Sequence, residues 1–255
     1  MRRLVDLLAP IVFLGLLLGG WELACRALDI PPYRLPPPSA IGDALAAEGP
    51  LLLRSGWVTL ATALWALAIA SLLANLLALA AALSGLVERA IQPVVVTLQV
   101  TPVIAIAPLV QIWAGLEHPE RAVVGLAVVV AFFPIFSGAL TGLKSADPDL
   151  ERLFDLYGAS RLQKLLRLRA PTAAPFVMQG HKVAAGLAVI GAVVGEFSAG
   201  SGGSQGLAWR IIEASNRLQT AKAFAALVVL AVMGAALYGL LQLAERRALA
   251  WWRGR

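Results

Sequence analysis

The chain reads as an all-α protein that crosses a membrane six times. Three observations lead there. Of 255 residues, 59% are hydrophobic and 14% charged, against roughly 25% charged in an ordinary soluble domain. The apolar residues come in runs of about twenty or more, the length of a helix that spans a bilayer. Those runs are rich in leucine and alanine, without the alternation of a barrel strand, and only helices and closed barrels satisfy their backbone in lipid.

Arg2 and Arg3 precede a first span at 4–23. A cleavable signal peptide is its rival, but no small-residue cleavage site follows, and Glu22-Leu23-Ala24 does not suit a lipoprotein site at Cys25. Cys25 is the single cysteine, which excludes a disulfide framework and a cysteine metal site. Residues 30–38 are proline-rich and predict extended chain. A short amphipathic piece at 40–47 leads to a second span at 57–83, and 84–89 forms a tight loop. The third span, 91–113, holds Pro93, Pro102 and Pro108. Three prolines predict a broken or kinked helix, tolerable only where the freed carbonyls face protein or water. The fourth, 121–143, contains Pro134. The fifth and sixth are expected at 175–199 and 223–243, separated by a glycine- and serine-rich loop at 198–206 and a short helix at 207–214. With the N-terminus inside, two thirds of the 21 Lys and Arg fall on the inner side. The positive-inside rule then places both termini and the 147–171 connection between the fourth and fifth spans in the cytoplasm. The net charge of +6 thus reads as a topology signal, and nucleic acid is not an expected partner.

That connection carries a charged island, 147–171, of sequence DPDLERLFDLYGASRLQKLLRLRAP. Asp147 is a good N-cap and Pro148 suits the first helical position. Leu150, Leu153, Phe154 and Tyr157 recur at helical spacing, and Gly158 is a natural helix stop. Ser160 starts a second helix, with Gln163 completing a capping box. Leu162, Leu165 and Leu166 form one face of it, Arg161, Lys164 and Arg167 another, and Ala170-Pro171 is expected to end it. Two short amphipathic helices hinged at Gly158 suit a lipid surface or a protein groove.

No G-x-x-x-x-G-K-[ST] occurs, and the glycine-rich 198–206 lacks the lysine and the preceding strand of a phosphate cradle. His118 and His181 lack metal-ligand spacing, and no serine or cysteine sits in a nucleophile motif. The chain is therefore expected to be no enzyme and to hold no cofactor itself. At membrane depth the ionisable groups are few, chiefly Lys182 and Glu196 on the fifth span. They lie roughly 21 Å apart along the helix and project to nearly the same face. Either each snorkels to its own interface or the face lines a path. Ala184, Ala188, Gly191, Gly195 and Ala199 form a small-residue strip on that helix, which predicts close helix packing; a symmetric partner is one candidate for what packs there.

Gly158-Ala159-Ser160-Arg161, the basic segment after it and Pro171 resemble the cytoplasmic coupling loop of bacterial ABC importer permeases, closest to the sulfonate, nitrate and taurine branch. The likeness extends over Leu35-Pro36-Pro37-Pro38-Ser39, over Pro102, Pro108, Trp113 and Gly115, over Gly180 and Lys182, over Glu196, and over Leu243-Ala244-Glu245-Arg246-Arg247 with Trp251. Arg152-Leu153-Phe154 stands where that loop has Glu-Ala-Ala, and Thr62 and Gln99 stand at positions where arginines are usual. The resemblance implies a permease pair, here a homodimer, in the bacterial inner membrane. Two separate ATPase subunits would bind ATP and magnesium, and a periplasmic or lipid-anchored binding protein would deliver a small solute for alternating-access transport. It makes 150–168 the lever. Leu150, Leu153, Phe154, Tyr157 and Leu162 would engage the ATPase groove, Gly158, Ala159 and Ser160 the hinge, and Arg161 and Lys164 its acidic rim or, as the rival, lipid headgroups. Gln99, Pro102, Lys182, Gly191, Gly195 and Glu196 are the path candidates. A sulfonate, nitrate, taurine or similar oxyanion is the expected solute. The missing arginines leave a neutral or heterocyclic solute as the alternative. A stand-alone channel or proton-coupled carrier is the rival from another class.

Overall fold

A computed structural model describes residues 2–115, 117–200 and 205–252. Arg253 and Arg255 of the inner cation set, and 201–204 of the glycine-rich loop, lie outside the described residues. Among the described residues all regular structure is helical. The order is α1 (Arg2–Ala27), α2 (Pro38–Leu83), α3 (Gly85–Val100), α4 (Val103–Ala114), α5 (Pro119–Lys144), α6 (Pro148–Leu156), α7 (Arg161–Lys164), a π-helical turn (Leu165–Arg169), α8 (Ala170–Ala199), α9 (Leu207–Asn216) and α10 (Thr220–Trp252). Five of these stretches are long and apolar enough to cross a membrane, and six if α3 and α4 count as one broken span.

Three boundaries differ from the sequence expectation, one of them the tight loop expected at 84–89, of which only Ser84 lies outside a helix; the break expected in the third span is present and located. The amphipathic piece at 40–47 is not separate: it runs through Pro50 into a 46-residue α2, about 69 Å long. Flanking leucines and alanines on both sides of Pro50 carry the helix across it. The third span is two helices meeting at 107°. Of its three prolines only Pro102 breaks the chain, because it pushes Thr101 into extended backbone (φ −73°, ψ 123°). Back at the end of α3, the Thr97 and Thr101 hydroxyls donate to the carbonyls of Pro93 and Thr97. Finally, Ala170-Pro171 does not end a helix. The chain winds from α7 through the π turn straight into α8. The wide turn moves the bonding register by one, with the Ala170 amide donating to the Leu165 carbonyl. Pro171, which has no N–H to donate, follows this widened turn directly, and the helix runs on through it.

The fold divides into two units. One comprises Met1–Trp57 and Gln205–Ala231. In it the Glu22 carboxylate of α1 accepts from the Ser39 amide (3.0 Å) and hydroxyl (2.8 Å), satisfying a free donor at the start of α2. The Trp21 and Phe224 rings pack at 5.7 Å, and the Thr220 hydroxyl donates to the Tyr33 carbonyl. The other unit comprises Val58–Ser204 and Val232–Arg255. Its α2 segment buries Ala63, Ala66, Ala70, Ala74, Ala78 and Ala81 on one face. Its centre is the antiparallel pair α5 and α8. A Cβ on Gly191 would lie 2.6 Å from the Ala127 Cα, and one on Gly195 2.8 Å from the Val123 Cα. Gly138 and Gly180 make the same close approach further along, the latter against the Pro134 carbonyl at 2.6 Å. The small-residue strip on α8 is thus occupied by α5 of the same chain, as close packing predicts. It does not await a second copy.

Candidate functional site

The charged island is one free helix followed by the end of a long one. The Asp147 carboxylate caps α6 by accepting from the Asp149 amide at 2.8 Å. Gly158 ends it in the left-handed region at φ 67°. The Gly158 amide donates to the Asp155 carbonyl and the Ala159 amide to the Phe154 carbonyl, both at 2.9 Å. These are the two bonds of a Schellman stop. The reciprocal Ser160–Gln163 capping box then starts α7, with bonds of 3.2 and 2.7 Å. The hinge and both caps stand where the spacing put them. What the sequence pattern did not show is continuity: 161–199 forms a single rod, so α6 attaches through the four residues 157–160 directly to a membrane-crossing helix.

Ion pairs fix α6 against that rod. The Arg169 guanidinium donates to both Glu151 carboxylate oxygens, at 2.6 and 2.9 Å. This bidentate geometry is the strongest an exposed or half-buried pair offers. Glu151 is held below the ordinary glutamate range by that Arg169 hydrogen bond, with desolvation working the other way. Lys164 pairs with Asp155 across the hinge, so Lys164, one of the two expected rim cations, is already engaged. Arg161 is exposed and has no ion-pair partner among the described residues. At the base, buried Leu143, Leu165 and Ala173 cluster with Leu79 and Val177.

The apolar groups of the island are left outward. Leu150 and Leu153 are half-exposed, while Leu162, Leu156 and Tyr157 are largely exposed, the last two at 84% and 83%. Phe154 is partly covered. Leu156 was absent from the sequence candidates because, six places after Leu150, it lies off the i, i+3, i+4, i+7 stripe counted from that residue, yet it is the most exposed of them.

The residues matching a known family model run from 70 to 249 and cover α2's second half through α10; that model describes the inner-membrane component of binding-protein-dependent transport systems. This decides the family. The chain belongs to the ABC transporter permeases. The formylaminopyrimidine transport permease ThiX of Halalkalibacterium halodurans is 32% identical over 252 residues, covering 98% of each chain. The riboflavin transport permease RibX of Chloroflexus aurantiacus is 33% identical over 242 residues, 94% of this chain and 88% of its own. The taurine transport permease TauC of Escherichia coli is 28% identical over 245 residues, 93% of this chain and 87% of its own.

In this permease the two charges of α8 do not snorkel. Lys182 is buried and pairs with Glu245 of α10 at 2.6 Å. Glu196 is fully buried and accepts from the Thr59 hydroxyl at 2.8 Å. Thr59 and Glu245 were not among the sequence candidates, since neither carries a motif and each lies far along the chain from its partner. Beside Lys182, on the side away from Glu196, His181 makes two polar contacts: its Nδ1 faces the Val177 carbonyl and its Nε2 the Ser71 hydroxyl, each at 2.8 Å. The carbonyl only accepts, so Nδ1 carries a proton. Gly191 and Gly195 are buried under α5 and front no open space. Gln99 and Pro102 are exposed on the arm and at the corner of the α3–α4 break. Gln111 of α4 donates to the Ser198 hydroxyl of α8 at 2.8 Å.

Proposed function

We propose that this chain is the membrane subunit of an ATP-driven importer, coupled through 147–171 to a separate ATPase. The observation that carries the reading is α6: a capped nine-residue helix that turns Leu153, Leu156 and Tyr157 outward while ion pairs hold it to the rod of α8. An amphipathic helix with an open apolar face docks into a groove. Here a push on it reaches the spans because no flexible linker intervenes after Ser160. On this reading the island and both termini face the cytoplasm, and Leu150, Leu153, Phe154, Tyr157 and Leu162 contact the ATPase with Leu156 added. Arg161 supplies the free cation at the rim, and Lys164 acts inside the lever. A second permease copy completes the path, a binding protein delivers the solute, and ATP and magnesium stay with the ATPase.

The solutes for which these relatives are named divide between a sulfonate (taurine) and nitrogen heterocycles (formylaminopyrimidine, riboflavin). Either class fits a permease of this size. The test is reconstitution: ATPase subunits purified with the permease should co-elute with it, and Leu153→Asp and Tyr157→Asp should abolish co-elution while the permease still inserts and elutes as a single species. Undiminished ATPase capture by both variants would overturn the docking role of α6.

A further inference from the structure

A cleft of about 330 Å³ lies between α3 and α5. Its lining follows two polar stripes. On α3, Glu88, Gln92 and Gln99 recur at i, i+4 and i+11, and on α5, Ser137, Thr141 and Lys144 at i, i+4 and i+7. Both spacings keep a residue set on one face of a helix. The stripes are joined at one end, where Lys144 Nζ contacts both Glu88 oxygens at 2.5 and 2.6 Å. Aromatic carbon lies beside them, from Phe133 and Phe136. On the adjoining face of α3, a neighbouring cavity that shares Val95 is lined only by apolar side chains such as Leu77, Val94, Leu98, Val128 and Phe132. The polar lining is therefore a property of one face of α3. Polar side chains at membrane depth turn toward water, protein or a solute and not toward lipid.

The charge inside the cleft is balanced. Its one cation, Lys144, is matched by Glu88, and what remains is amide, hydroxyl, aromatic ring and the aliphatic side chains of Val95, Val96 and Leu140. An oxyanion entering it would shed water without gaining a counter-charge, a heavy penalty for an ion. An uncharged planar heterocycle loses little on entry. It can stack on Phe133 and exchange hydrogen bonds with Gln92, Gln99 and Thr141, groups that both donate and accept. Its size suits a cavity at the small end of ligand pockets. We infer that the α3–α5 cleft is a solute subsite that takes neutral, hydrogen-bonding nitrogen heterocycles and disfavours sulfonates, with Gln99 and Thr141 as specificity-determining residues.

This inference rests on the importer reading, and its test separates the two. Saturation-transfer difference NMR on the full-length permease in lipid nanodiscs detects weak binding. With 4-aminopyrimidine as probe, ring protons should show transfer that falls at least threefold in both Gln99→Ala and Thr141→Val. Ethanesulfonate should show none with the wild type and should gain it in Gln99→Arg, which adds the missing cation. Equal transfer to ethanesulfonate in the wild type, or none to 4-aminopyrimidine, overturns the subsite. Transfer to 4-aminopyrimidine undiminished in both variants places the binding elsewhere and overturns it as well. ATP-dependent uptake measured on the same preparation with its ATPase and binding protein decides the importer reading independently: uptake with no cleft binding sinks only the subsite, whereas lack of ATP dependence sinks the reading beneath it.

Discussion

At the scale of single residues, the structure's most informative contacts are those that turn a helix pair into a lever. Glu151 and Arg169 are 18 positions apart, and the pair is three-quarters buried, with side chains 27% and 28% exposed. Nothing in the sequence pattern marks them, because both read as ordinary charges on amphipathic helices. Their pairing has a pH signature whose sign is fixed. Arg169 holds the Glu151 carboxyl below its ordinary value, so the folded state binds that proton less readily than the unfolded chain. The pair's contribution is then fully present above the unfolded glutamate value and is lost as pH falls through the lower, folded one. Glu151→Gln should lower the melting temperature of the detergent-solubilised permease at neutral pH. The effect should be on the order of 1 kcal/mol, or about 2–4 °C for a chain of this size. The gap between the two proteins should close on acidification and should not widen on raising pH to 9. A gap unchanged down to pH 3 would show that the pair contributes nothing.

At the scale of elements, helix existence was legible, and helix ends were legible only where a local cap or stop marks them. The caps at Asp147 and Ser160 and the stop at Gly158 were readable because each depends on a few neighbouring residues. The fate of Ala170-Pro171 was not, because a π turn upstream depends on how Leu165 and Leu168 bury themselves, a tertiary matter. Likewise Pro50 ends nothing while Pro102 bends the chain by 107°, although local sequence rules treat both alike. The small-residue strip of α8 was legible as packing, but its partner was not. Two glycines on that helix now separate packing from propensity. Gly191→Ala places a methyl group against the Ala127 backbone, where neither helix can yield without parting, at a cost of about 1–3 kcal/mol. Gly186→Ala meets nothing within 4 Å and should be neutral or mildly stabilising through helix propensity. Thermal unfolding monitored by size-exclusion chromatography compares the two directly. A Gly191→Ala protein as stable as its parent would mean that α5 and α8 do not touch as described.

At the scale of the whole molecule, the question is how energy reaches the spans. The described residues hold helices, buried ion pairs and a small polar cleft, and the family to which the chain belongs works with a separate ATPase and binding protein. Family and fold class were legible early because composition and the Gly158-Ala159-Ser160 hinge are properties of the sequence itself. The pairings that organise the candidate path were hidden: Lys182 with Glu245, Glu196 with Thr59, and the facing stripes of α3 and α5 join positions brought together only by folding. If energy enters through α6, the hinge must pass on force at a defined angle, and that angle is set by the left-handed backbone of Gly158. Proline cannot adopt that φ and lacks the amide that donates to Asp155. Gly158→Pro should therefore leave membrane insertion and monodispersity intact while reducing solute-stimulated ATP hydrolysis by the reconstituted complex at least tenfold. Gly158→Asn should retain a substantial fraction of it, since asparagine tolerates the left-handed region. Stimulation that survives in the proline variant would mean that the drive reaches the spans by another route, and that α6 serves as an anchor without acting as a lever.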